Sequence, residues 1–274
     1  MAAITAADVN KLRLQTGAGM MDCRNALLES DGDFEKAIDY LRKKGQKVAA
    51  KRSDRETKEG VALTKTSDDN TKGVVISLSC ETDFVAKNEE FVQFATAVAA
   101  IALQEQPDTI DQLTALEVNG EVISDKINDL VGKIGEKITL SRYEKINAGY
   151  VVSYIHGNYR MGVLVGFSKP IAAEAAKDIA MQIAAMNPIA LDENSVPAEV
   201  IAREKEIAVE QVKAEGKPAE MAEKIAQGKL NKFFKEQTLL AQPFVKDNSQ
   251  SISAYLKSVD AEAKITGFKR VALG

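Results

Sequence analysis

GVVISLSCETDFVAKNEEFVQFATAVAAIA, residues 73–102, decides how this chain folds. Its first eight residues form an apolar, β-branched run of strand length. From Asn88 the period changes to that of a helix. Asn88 is a suitable N-cap, Glu89 and Glu90 fall in the first turn where the helix dipole favours acids, and an Ala-rich apolar face follows. Upstream, VALTKT (61–66) and the polar turn SDDNTK (67–72) make the apolar run the second arm of a hairpin. The same order recurs later. AGYVVSYIHGNYRMGVLVGFS (148–168) reads as two strands around an HGNYR turn, and AAEAAKDIAMQIAAMNP (172–188) as a helix closed by Asn187-Pro188. Gly73–Ser79 (GVVISLS) and Gly162–Ser168 (GVLVGFS) match in place as well as in character, so two related antiparallel-sheet-plus-helix subdomains are expected. They leave their strands differently: the first through Glu81-Thr82-Asp83-Phe84, the second through Lys169-Pro170.

The flanks are helical. Thr5 is read as an N-cap with Val9 and Leu12 on one stripe, TGAG (16–19) breaks the chain, and MMDCRNALLES places Met21, Ala26 and Leu27 at helical spacing. A third helix carries Phe34, Ile38 and Leu41, with Gly45 expected as its C′ residue. Residues 46–60 read as a charged linker, with some helix allowed. Two further helices are expected at 108–117 and 121–134. Residues 197–236 read as an antiparallel helical hairpin turning at Gly216-Lys217-Pro218, with Val200, Ile201, Ile207 and Val212 facing Met221, Ile225 and Leu230. SISAYLKSV then gives a short helix, and ITGFKRVAL a last strand for the second sheet. The expected fold class is α+β, divided as a three-helix module and linker (1–55), a first core subdomain (56–140), a second in two parts (141–196 and 237–274), and the inserted hairpin (197–236).

Composition narrows the chemistry. The 274 residues are 45% hydrophobic and 28% charged, as in ordinary globular chains, with a net charge of −4. That balance argues against a dedicated nucleic-acid binder, although the basic run from Arg42 to Arg55 keeps an RNA-binding alternative open. No apolar run approaches membrane-spanning length, and the first residues resemble neither a secretory nor a transit signal. Cys23 and Cys80 form no CxxC pattern and read as reduced thiols, so a cytoplasmic location is expected. With one histidine, His156, multi-histidine metal sites are impossible and no metal or cofactor is expected. TGAGMM lacks the length and the Lys-Ser/Thr ending of a phosphate loop. No catalytic residue is assigned. His156 is open to three readings: an exposed contact, an incidental surface residue, or a lone acid-base group. Thr82-Asp83-Phe84-Val85 is open to two. Asp83 caps a turn while Phe84 folds back as a staple, or the pair protrudes as an interaction tip.

TGAGMMDCRNAL (16–27) and ETDFVAKN (81–88) resemble the two signature stretches of the elongation factor Ts family. Matches continue in order with KIGEKI (133–138), SYIHG (153–157), MGVLV (161–165), QPFV (242–245) and TGFKR (266–270). This resemblance implies a ubiquitin-associated-like N-terminal module, a two-subdomain core and an inserted helical hairpin. It further implies a guanine nucleotide exchange factor without covalent chemistry, whose partner is the translation GTPase elongation factor Tu. Thr82, Asp83, Phe84 and Val85 would form the loop that dislocates the partner's Mg²⁺. The remaining partner contacts it implies are Arg13, Met20, Met21, Arg24, Arg52, Ile134, Gly135, His156, Val245 and Lys246, although the position of Lys246 is often apolar in the family. Direct contact with nucleic acid or membrane is not implied. A homodimer or a two-plus-two assembly with the partner stays open. The alternative function is a non-exchange binding adaptor that uses the N-terminal helices.

Overall fold

The computed structural model describes residues 4–214 and 219–274, with only the backbone of residues 213 and 219–223. The fold is α+β, built around two strands buried on both faces. Strand β1 (Glu59–Thr66) pairs antiparallel with β2 (Lys72–Cys80), and β5 (Thr139–Asn147) closes the other side of β2. In the second sheet β6 (Tyr150–His156) and β10 (Ile265–Ala272) flank β7 (Met161–Phe167) in the same arrangement. Both sheets thus read hairpin, helix, then a returning third strand beside the second. The recurrence of GVVISLS and GVLVGFS reflects a shared topology.

Period-two alternation divides each central strand between two layers. Val74, Ile76, Leu78 and Cys80 enter a core with α5 (Glu89–Glu105), which contributes Phe91, Phe94, Ala95 and Val98. Val163, Val165 and Phe167 enter the matching core with α8 (Ala173–Met186). The opposite faces meet in a small cluster of Ala62, Val75, Val151, Leu164 and Val271. The layers therefore run helix, sheet, sheet, helix, stacked closely at the centre. A Cβ on Gly162 would lie 2.8 Å from Val75 Cγ2 and 2.9 Å from Thr64 Cγ2.

The N-terminal helices α1 (Ala6–Thr16), α2 (Met20–Glu29) and α3 (Phe34–Lys51) enclose Val9, Leu12, Cys23, Ala26, Leu27 and Ala37. Thr5 and Asp8 make a reciprocal capping box at the start. Two expectations change. Met21 stands outside while Cys23 takes the inner position. The third helix runs on past Gly45 to Lys51, taking in much of the expected linker. Gly45 is no cap: it is where α3 crosses α7 (Ile123–Ile134). A Cβ there would lie 2.9 Å from Asn128 O, and one on Gly132 would lie 2.8 Å from Gly45 Cα. The paired glycines let two backbones touch, and Val48 and Ala49 beyond the crossing pack on the first core.

The helix expected at 108–117 shortens to α6 (Ile110–Thr114), and the next begins at Ile123. Between them β3 (Glu117–Val118) and β4 (Glu121–Val122) form a small hairpin through Asn119 and Gly120, both at positive φ (54° and 81°). Asn-Gly is the dipeptide such a turn favours, and it falls in the gap left between the two expected helices. The 140/141 division falls inside β5, which pairs with β2 on both sides of it.

The inserted helices are α9 (Ala198–Ala214) and α10 (Ala219–Gln237). Gly216-Lys217-Pro218 lies outside the described residues, as does the Met221 side chain. Ala208, Val212, Ala226 and Leu230 are buried between the helices, whereas Ile207, expected on that stripe, is 40% exposed. Backbone bonds from Ile189 to Gln237 and from Leu239 to Ala190 tie the base of the excursion. The short strands β8 (Pro243–Phe244) and β9 (Asp247–Ser251) then lead through α11 (Ile252–Val259) to β10.

Candidate functional site: a displayed turn and its supports

Beyond Cys80 the chain makes one helical turn, α4 (Asp83–Ala86), before Asn88 caps α5 by accepting from Glu90 N and Phe91 N. Successive residues on such a turn point about 100° apart. Val85 is buried in the first core, so Asp83 and Phe84 are carried outward. Phe84 is 83% exposed, beyond any other large apolar side chain described. The folded-back reading of Phe84 therefore does not match the structure, because Val85 already fills the inward place. Asp83 Oδ2 accepts from Lys87 Nζ at 2.6 Å, and this hydrogen bond and charge hold the carboxyl below its ordinary range. The turn displays an anion beside a ring.

Behind the turn lie two carboxylates. Glu81 accepts from Arg52 Nη1 (2.8 Å), Arg55 Nη1 (2.9 Å) and the backbone N–H of Lys137 (2.6 Å). Desolvation pushes the Glu81 carboxyl up, but these donors outweigh it and bring it down to about 2. Glu136 accepts from Thr82 N (3.0 Å) and Thr82 Oγ1 (2.7 Å). The same corner holds Ile134, half-buried against the first core, and Gly135, which ends α7 at φ 79°. A Cβ on Gly135 would meet nothing within 4 Å, so backbone conformation and not crowding selects glycine there. Arg52 also belongs to this corner, its guanidinium turned inward onto Glu81.

The N-terminal helices present Met20 (53% exposed) and Met21 (62%), flanked by exposed Arg13 and Arg24. Leu14, on α1, is also exposed (80%) and was not singled out from sequence. The signal was present, since Leu14 lies two residues after Leu12 and so falls off the Val9–Leu12 stripe. Lys133 links this region to the core. Its side chain approaches Gly17 and pairs with Glu90 at 2.6 Å.

His156 ends β6, where Tyr154 Oη and His156 Nδ1 are 2.8 Å apart. The turn that follows reaches back to the first sheet: Ala62 N donates to Tyr159 O, and Arg160 pairs with Glu59 at 2.7 Å. A cleft of about 460 Å³ lies between the two turns, lined by Glu59, Asp83, Lys87, Gly157, Tyr159 and Arg160. Val245 and Lys246 lie apart from this group, in the β8–β9 turn over α8. There Val245 N donates to Gln182 Oε1 and Lys246 Nζ donates to Asp178 Oδ1 at 2.6 Å. The charge of Lys246 is thus satisfied within the chain.

Neither thiol is built for nucleophilic chemistry. Burial pushes Cys80 up to about 12 and raises Cys23 as well. Among the described residues no group of three or more His, Cys, Asp or Glu could hold a metal ion, and no helix is long and apolar enough to cross a membrane. Of the basic run, Arg42 pairs with Glu121 and Asp129, and Arg52 and Arg55 with Glu81.

Residues 81–274 match the family described as Elongation factor TS. The chain is 54% identical to "Elongation factor Ts" of Flavobacterium psychrophilum over 276 residues, covering 100% of both chains. It is 51% identical to the protein of that name in Christiangramia forsetii and 49% to that in Cytophaga hutchinsonii, again covering 100% of both. With more than half its length matched, and relatives aligned end to end through the N-terminal helices, the displayed turn and the second sheet, this chain belongs to the elongation factor Ts family.

Proposed function

We propose that this chain promotes release of GDP from elongation factor Tu, so that GTP can rebind. Membership of the family implies nucleotide exchange on that GTPase in general. The finer reading is that exchange proceeds by non-covalent displacement, with Asp83 disturbing the coordination of the partner's Mg²⁺ and Phe84 wedging into its GTPase domain. The observation that carries it is the α4 turn, an ionised carboxylate next to an 83% exposed phenyl ring on a turn fixed by buried Val85. Leaving such a ring in water forgoes about 1.5–3 kcal/mol of burial, which suits a group that inserts into something else.

A Mg²⁺ at a nucleotide site is a large local charge, and loosening it exposes phosphate repulsion. Contacts spread over a wide interface offset that loss. In this reading Arg13, Met20, Met21 and Arg24 dock the N-terminal helices, Ile134, Gly135 and His156 press beside the turn, and Val245 and Lys246 supply a separate outer contact. By linkage, a factor that weakens nucleotide binding is itself bound more weakly by the nucleotide-loaded partner. Each 1.4 kcal/mol of coupling is about tenfold in affinity. Exchange therefore needs no covalent step, and the factor accelerates it without setting its direction. The place of action is the cytoplasm.

The test is release of fluorescent GDP from purified elongation factor Tu with catalytic amounts of this chain. Accelerated release that depends on factor concentration is expected. Release at the intrinsic rate would reject the reading.

A further inference from the structure

We propose that Glu81 and Glu136 are positioning residues, a reciprocal clasp that fixes how Asp83 and Phe84 are presented. The inference deepens the exchange reading and rests on it. The β2–β5 ladder ends at the pair Ser79 and Thr139. Past that point no ladder joins the two segments, yet each lends a carboxylate to the other's backbone. Glu81 accepts from Lys137 N at 2.6 Å, and Glu136 accepts from Thr82 N at 3.0 Å and Thr82 Oγ1 at 2.7 Å. Side chains thus continue the pairing just where the displayed turn begins. Charge-assisted bonds of this kind are among the stronger ones, and the Glu81 side chain is only 16% exposed, so salt screens it little.

Three segments meet in the clasp. Arg52 and Arg55 bring in the chain after α3, and Lys137 Nζ binds back to Ser53 O and Arg55 O. Glu81 and Thr82 begin the displayed turn, and Glu136 follows directly on Ile134-Gly135. The clasp therefore sets the turn against both the α7 corner and the N-terminal helices. Arg52, implied by resemblance as a partner contact, acts here through Glu81.

The test uses the full chain with elongation factor Tu loaded with fluorescent GDP. For Glu136→Ala the maximal exchange rate is expected to fall about tenfold, with KM for the loaded GTPase changed by less than about threefold. Independently of activity, amide hydrogen exchange of residues 83–87 in the free factor should speed up while α5 amides stay protected. In an Asp83→Ala/Phe84→Ala background, Glu136→Ala should cost nothing further, because it works only through those groups. Arg52→Ala should likewise add nothing to Glu81→Gln. Unchanged amide exchange at 83–87 would overturn the clasp, and a full additional loss in the double-alanine background would mean that Glu136 touches the partner itself. If Glu136→Ala does not fold, Thr82→Val interrupts the same contact, and Thr82→Ser should restore it. If the double-alanine factor exchanges nucleotide like the parent, the exchange role of the turn fails, while the amide measurement still judges the clasp.

Discussion

Where β2 leaves the first sheet, Val85 turns inward, Phe84 stands in solvent, and the backbone is held from the side by Glu136. Where β7 leaves the second sheet, the chain folds back on its own subdomain. Ser168 N donates to Lys264 O, Ser168 Oγ accepts from Lys264 N, and Lys169 pairs with Asp260 at 2.9 Å and Glu262 at 3.1 Å. Pro170 then leads to α8 with nothing displayed. The strand orders are the same and so is the helix that follows, so topology does not require the exposed ring. A scaffold under selection for stability alone would close both exits as the second is closed. The first exit holds an unfavourable side chain in a defined place, which is what the proposed contact with a partner would need.

The largest effect should come from confusing the two kinds of phenylalanine in the first half. Phe91, seven residues after Phe84, is fully buried at the start of α5. Phe91→Ala should cost about 3–5 kcal/mol in a urea unfolding experiment. Phe84→Ala should instead shift the melting temperature by less than about 2 °C and slow GDP release by about tenfold or more. A stability loss at Phe84 comparable to that at Phe91 would erase the distinction between the exits. The supporting carboxylate gives a subtler signature. Glu81 titrates at about 2 in the fold against an ordinary value of 4.5, so between these values the unfolded chain binds the proton more readily. Its stabilisation is complete above pH 4.5 and is lost as pH falls towards 2. Glu81→Gln should flatten that part of the acid unfolding curve, and an unaltered curve would show that the clasp carries no folding energy. The smallest effect belongs to the closed exit. Lys169→Ala should cost no more than about 1 kcal/mol in chemical denaturation and leave GDP release at the parental rate.

Local periodicity made much of this legible. The apolar run GVVISLSC gave a strand and its hairpin, Asn88 gave the start of α5, and the likeness of 73–79 to 162–168 gave the two related subdomains. Sequence misread the places where a distant contact decides. Gly45 resembles a helix end, but Gly132 makes it a crossing point, and no local pattern links the two. Asn119-Gly120 was readable as a turn, but it was taken as the break between two helices and the two-residue strands beside it were too short to show a period. At the site, Asp83 and Phe84 were visible as candidates, whereas the outward direction of Phe84 depends on Val85 filling the core. Glu81 and Glu136 were invisible as a pair, because their 55-residue separation is closed only by the β2–β5 ladder.

The glycine crossing has a mechanical consequence. The module and the core meet the outside along different edges, like the two jaws of a caliper, and α3 is the arm that sets their gap. From Gly45 back to Phe34 the arm is about 16 Å long, so a tilt of about 10° at the crossing swings its far end by about 3 Å. A methyl group at either glycine forces such a change, since backbone atoms stand where it would go. The spacing of two distant surfaces is thereby controlled from a buried point that neither of them touches.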